Sequence, residues 1–171
     1  TARVVSLLGL GFLIVAVPVQ VYQLTGSTAQ VAAVTAVLGI TTFAATFVGG
    51  VLADRFDRRN VIAIARGTAA VAFALLAVNA YLPEPQMWAI YLISVVDGAA
   101  GGISATALMA VTPSLVPRDK LAAAGALMAL TADLGSMVGP ALGGVVIAAG
   151  GVGLAYALAA FTTVITTFCI T

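Results

Sequence analysis

The sequence contains no histidine and a single cysteine, Cys169. A disulfide within the chain is impossible, and a zinc site built from Cys and His is excluded. The reactive groups of a membrane-embedded enzyme (paired His, a catalytic Cys, a metal cluster) are missing, so no catalytic residue, metal or cofactor is expected. Charge is scarce as well: 8% of the 171 residues are Asp, Glu, Lys or Arg, against about 25% in soluble domains. The net charge of +1 offers nothing to attract nucleic acid. The chain begins with Thr1 rather than an initiator Met, which reads as a piece of something longer.

What fills the chain is apolar. Hydrophobic residues make up 62% of it, and the mean hydropathy is +1.17. A chain this greasy cannot cover itself with a wettable surface, so its outer partner is expected to be the lipid bilayer. Six segments approach the roughly 20 apolar residues that cross a hydrocarbon core: 4–24, 31–53, 61–82, 87–111, 121–149 and 152–171. The breaks are short: TGSTAQ at 25–30, a charged stretch at 54–60, PEPQ at 83–86, TPSLVPRDK at 112–120 and the glycine pair 150–151. The first run is too long for the apolar region of a signal peptide. Loops this short force antiparallel neighbours, and no segment alternates as a barrel strand does. The expected fold is therefore an all-α integral membrane bundle of six transmembrane helices.

Basic residues orient it. With the N-terminus in the cytoplasm, Arg3, Arg55, Arg58, Arg59, Arg66, Arg118 and Lys120 all fall on the cytoplasmic side, and the opposite loops carry none. This satisfies the positive-inside rule. Tyr81 and Trp88 flank the PEPQ loop on the other side, as interfacial aromatics do.

The charged stretch GGVLADRFDRR (49–59) holds more than a topology signal. Gly49 and Gly50 let a neighbouring helix approach. The i, i+4 spacing of Asp54 and Arg58 is expected to pair them on one helix face. G-x-x-x-D-R-x-x-R-R, carried by Gly50, Asp54, Arg55, Arg58 and Arg59, resembles the loop signature of the major facilitator superfamily. Asp57 stands where that family usually has glycine. The resemblance implies a twelve-helix fold of two six-helix halves, with this loop as a cytoplasmic latch between them. The chain would then be the N-terminal half, with the C-terminal six helices absent.

Residues 135–144 read GSMVGPALGG. Gly135, Gly139 and Gly143 form a smooth strip for close helix packing, and Pro140 is expected to bend the helix. With Gly144, the pattern G-x-x-x-G-P-x-x-G-G resembles the fifth-helix signature of superfamily exporters, which implies efflux. Longer stretches narrow the likeness: VAVPVQVYQLTGST (15–28), LPEPQMWAIYL (82–92), AVTPSLVPRDKL (110–121) and GPALGGVVIAAGGV (139–152) resemble the enterobactin exporter family. That resemblance implies proton-driven export of a catecholate siderophore across the bacterial inner membrane. A broad drug or macrolide exporter of the same fold is the first alternative, and a non-transporting membrane scaffold the second.

Two acidic residues fall deep within spans. Asp97 lies about ten residues into the fourth, roughly 15 Å at about 1.5 Å per residue, and Asp133 about twelve residues into the fifth. Each costs on the order of 2.5–3.5 kcal/mol at the bilayer centre. No basic residue is expected in the apolar middle of any span, Arg66 being read as near the cytoplasmic end of the third. Asp97 and Asp133 are therefore candidates for proton coupling, since such a group can take and release a proton as water access switches sides. The alternatives are a hydrogen bond to a neighbour, a cation in the absent half or, for Asp97-Gly98, an irregular helical turn. The Arg found in the fourth span of many proton-coupled drug exporters of the superfamily is replaced by Ser94. Gln20, Thr42, Tyr91 and Ser94 are candidates to line a path for a small-molecule substrate, against the plainer reading of local back-bonding.

Overall fold

The computed structural model describes residues 2–115 and 121–168. Arg118, Lys120 and Cys169 lie outside the described residues, as does the side chain of Arg3. The described chain is helical: α1 (Ala2–Thr25), α2 (Thr28–Arg55), α3 (Arg58–Tyr81), α4 (Met87–Leu115) and α5 (Leu121–Phe168). Within α5 the backbone leaves helical geometry at Gly151, with φ 76° and ψ 178°. This divides α5 into two arms, 121–150 and 152–168. Such a backbone position is essentially open to glycine alone. Pro140 lies within the first arm, where the dihedrals are helical. Four of the helices are long and apolar enough to cross a membrane, and a shorter apolar stretch covers the described side chains of α1.

Short polar devices end each helix. Gly26, at φ 63°, turns α1 into α2, and the Ser27 hydroxyl accepts from Gln30 N–H at 3.4 Å. After α3, the buried Asn79 clamps the loop: its Oδ1 accepts from Gln86 N–H at 2.9 Å, and its Nδ2 donates to Gln86 O at 3.4 Å. Burying an amide is tolerable only with its bonds made.

Apolar helices gain little by hiding from lipid that is equally apolar, so their association depends on close packing. α1 lies against α5, α2 against α4, and α3 packs on both α4 and α5. The main core gathers Phe12, Leu13 and Ala16 from α1, Phe73 and Leu76 from α3, Ile90 and Ile93 from α4, and Ala155, Tyr156 and Ala159 from the second arm of α5. Larger side chains such as Ile40, Phe43, Phe47, Ile64 and Val78 stay on the outside, where a bilayer accepts them.

The two principal crossings are built from glycine. A Cβ on Gly11 would collide with the backbone of Gly139, and one on Gly143 would sit 3.2 Å from Phe12 Cα. Gly144 has nothing within 4 Å, so the exporter-like motif divides: Gly139 and Gly143 meet α1 while Gly144 stays open. At the other crossing a Cβ on Gly49 would approach Ile103 Cα to 2.8 Å, one on Gly98 would reach Leu38 O at 2.8 Å, and one on Gly102 would strike Thr42 O. Gly50 only grazes Thr106, at 4.0 Å.

Candidate functional site

The charged turn joins α2 to α3. α2 ends at Arg55, its cap Phe56 is extended, and α3 begins at Arg58. The helix is broken between Asp54 and Arg58, so their i, i+4 spacing does not place them on one continuous helix face. Arg58 turns back instead, donating from Nε to Ala53 O at 3.3 Å. Asp57, at the usual glycine position, caps α3 by accepting from Arg59 N–H at 2.8 Å. Its φ of −59° shows that the turn needs no left-handed residue. Asp54, Arg55 and Arg59 project outward, so the turn presents a charged knob at one end of the bundle.

The second feature lies inside. A cavity of about 210 Å³ opens between α3, α4 and the second arm of α5, lined by Arg66, Phe73, Asp97, Ser104, Leu108 and Thr163 among others. No described hydrogen bond ends on the Asp97 carboxylate. Sequence reading left Asp97 without a basic neighbour. Arg66, about 12 Å in from the turn end of α3, lines the same cavity, which extends along antiparallel α3 and α4 between the two levels. α4 is continuous through Asp97-Gly98, so no irregular turn occurs there. Gly98 serves to bring α2 close.

Asp133 is placed differently. It is exposed on the first arm of α5, and its nearest recorded polar neighbour, Ser136, donates to its backbone carbonyl at 2.8 Å. The four substrate-path candidates make separate contacts. Gln20 is buried, and its Oε1 accepts from the Tyr156 hydroxyl at 2.8 Å. Thr42 donates to Leu38 O at 2.8 Å beneath α4. Ser94 is buried. The Tyr91 hydroxyl donates to Gln30 Oε1 at 2.6 Å, tying α4 to α2.

Three features escaped sequence reading. The Gly98–Gly102 cradle was visible as small-xxx-small spacing, though only its burial marks it as a crossing. The Gln20–Tyr156 bond, 136 residues apart in sequence, left no local signal. That Arg66 and Asp97 line one cavity needed the pairing of helices.

An antiparallel bundle of apolar helices with a charged knob at one end and a cavity lined by an aspartate and an arginine inside defines a multi-pass membrane protein. The whole chain, residues 1–171, matches the Major Facilitator Superfamily, and it belongs to that family. Over 165 residues it is 50% identical to the enterobactin exporter EntS of Salmonella typhimurium and to that of Citrobacter koseri, and 48% identical to that of Escherichia coli O1:K1. Each alignment covers 96% of this chain and 40% of the relative, so the chain spans about two fifths of the length of the curated relatives it matches.

Proposed function

We propose that this chain forms the N-terminal six-helix half of a twelve-helix secondary transporter of the bacterial inner membrane that exports a catecholate siderophore such as enterobactin, driven by protons. The observation that carries this reading is the identity of about 50% over 96% of the chain to enterobactin exporters. The placement of Asp133 supports a second half. A carboxylate facing lipid at mid-depth would cost on the order of 2.5–3.5 kcal/mol, and docking of a partner bundle, or water between the bundles, removes that cost. The charged knob then lies on the cytoplasmic side, with the N-terminus, and latches the halves when that side is closed. Rocking of the two bundles about a midplane site alternates access. The glycine crossings keep each half rigid enough to move as a body.

The test uses the full parent gene in a bacterium lacking its own siderophore exporter. Catecholate siderophore is measured in the medium and in the cells at matched synthesis. Secretion restored to the level of the native exporter is expected. Intracellular retention, with the protein confirmed in the membrane, would sink the siderophore assignment and put drug export first.

A further inference from the structure

The cavity that holds Asp97 has a direction. Along α4 its lining runs from Asp97 to Leu108, and along α3 from Phe73 back to Ala65. At about 1.5 Å per residue these stretches are roughly 16 Å and 12 Å long. Both start at mid-depth and run toward the end that carries the 56–57 turn. At the deep end the cavity stops at the buried Phe73, which belongs to the main core with Leu76. Its lining thus reaches from mid-depth toward one side of the membrane. Its volume of about 210 Å³ has room for several waters at about 30 Å³ each. Its polar lining is spaced along that path: Asp97, Ser104, Arg66 and Thr163. The Thr163 hydroxyl donates to Ala159 O at 2.7 Å, so its oxygen lone pairs remain for water.

We propose that this cavity is the half-channel through which the coupling proton passes between Asp97 and the side of the membrane that carries the charged turn, with Asp97 as the proton carrier and Arg66 as a positioning charge. The proposal rests on the proton-driven transport reading and adds the residue and the route. The step is simple: the Asp97 carboxylic acid gives its proton to cavity water and becomes a carboxylate, and no other bond changes. The guanidinium of Arg66 supplies a counter-charge where the low dielectric makes one valuable. Arg66 is the charged group that faces Asp97 from α3; Ser104 on α4 and Thr163 on α5 are neutral. α2 packs on the adjoining face of α4, where it brings Thr41 and Thr42. The carrier so placed lies inside the half, apart from the exposed face of α5 that carries Asp133. An anionic substrate and the proton then need not share a chamber.

Three measurements on the full-length exporter test this. In a cysteine-free background, Ser104→Cys should react with a charged, membrane-impermeant thiol reagent from the same side as Asn60→Cys, at least tenfold faster than from the other side. Reaction from both sides equally, or from neither, overturns the half-channel. A fluorescent apolar carbodiimide, which attacks protonated carboxyls, should label the wild type and lose that label in Asp97→Asn; equal labelling of the two overturns the carrier. Arg66→Gln should lower proton-driven export at least tenfold while sparing substrate exchange at equal concentrations, and Arg66→Lys should restore it. Parallel loss of both activities in Arg66→Gln, with no rescue by Lys, would reduce Arg66 to a structural residue. The two labelling readouts need no substrate. They can succeed if siderophore export fails, and fail if it succeeds.

Discussion

Asp97 and Asp133 are alike in sequence: each is an aspartate deep in an apolar span, with no adjacent charge. Their surroundings in the folded half are opposite. Asp97 opens into a cavity that Arg66 also lines, between three helices, while Asp133 stands on an exposed face of α5 with Leu130, Leu134 and Met137. The difference teaches that depth in the membrane and exposure to it are separate properties. The first follows from position along a span. The second follows from which neighbours the helix acquires. A carboxylate at mid-depth is costly in lipid, and the fold encloses Asp97 within a cavity while leaving Asp133 exposed.

The strongest way to break this comparison is to neutralise each residue in turn. Asp97→Asn is expected to reduce proton-driven export by about 100-fold or more, the range for removing an acid–base group. Asp133→Asn, which removes charge from a docking face, is expected to leave most of the activity. Uptake by inverted vesicles under an imposed proton gradient measures both, and equal losses would erase the distinction.

A second test moves the helix that carries Asp97. A side chain at Gly102 must displace the backbone of α2 at Thr42. Gly102→Val is expected to destabilise the folded protein by at least the roughly 1–3 kcal/mol typical of overpacking. Gly144→Val, at a position with nothing within 4 Å, should change thermal unfolding little. If both variants melt alike, the α2–α4 crossing does not position Asp97.

The smallest effect is expected at the break in α5, which sets the first arm, with Asp133, apart from the second, which closes the cavity of Asp97 at Thr163. Gly151→Ala forces a side chain into a strained conformation, at about 1–3 kcal/mol. A lowered midpoint in a thermal unfolding assay, with wild-type yield in the membrane, is the expected result. An unchanged midpoint would mean that the break can be rebuilt without glycine.

Much of this was legible in the sequence because it depends on local composition. Runs of about 20 apolar residues call for membrane helices, and the Gly150-Gly151 pair and the charged stretch mark where such runs stop. The family signature is likewise local, and Asp57 could be recognised at its glycine position before its role as a cap was known. The i, i+4 spacing of Asp54 and Arg58 does not define a shared helix face, because the helix stops between them. Gly151 breaks α5 because it adopts a backbone conformation that other residues avoid.

The sequence by itself determined that this protein is an all-helical membrane bundle, roughly where its apolar runs are interrupted, and that two aspartates fall within such runs. These are properties of each segment and its solvent. The tertiary structure alone decided which glycines meet backbone, that Gln20 is satisfied by Tyr156, and that Arg66 shares a cavity with Asp97 while Asp133 faces outward. Apolar helices in lipid have no solvent-averse stripe to announce their neighbours. Their pairing is set by shape complementarity between distant segments, and that becomes visible only once the helices are packed.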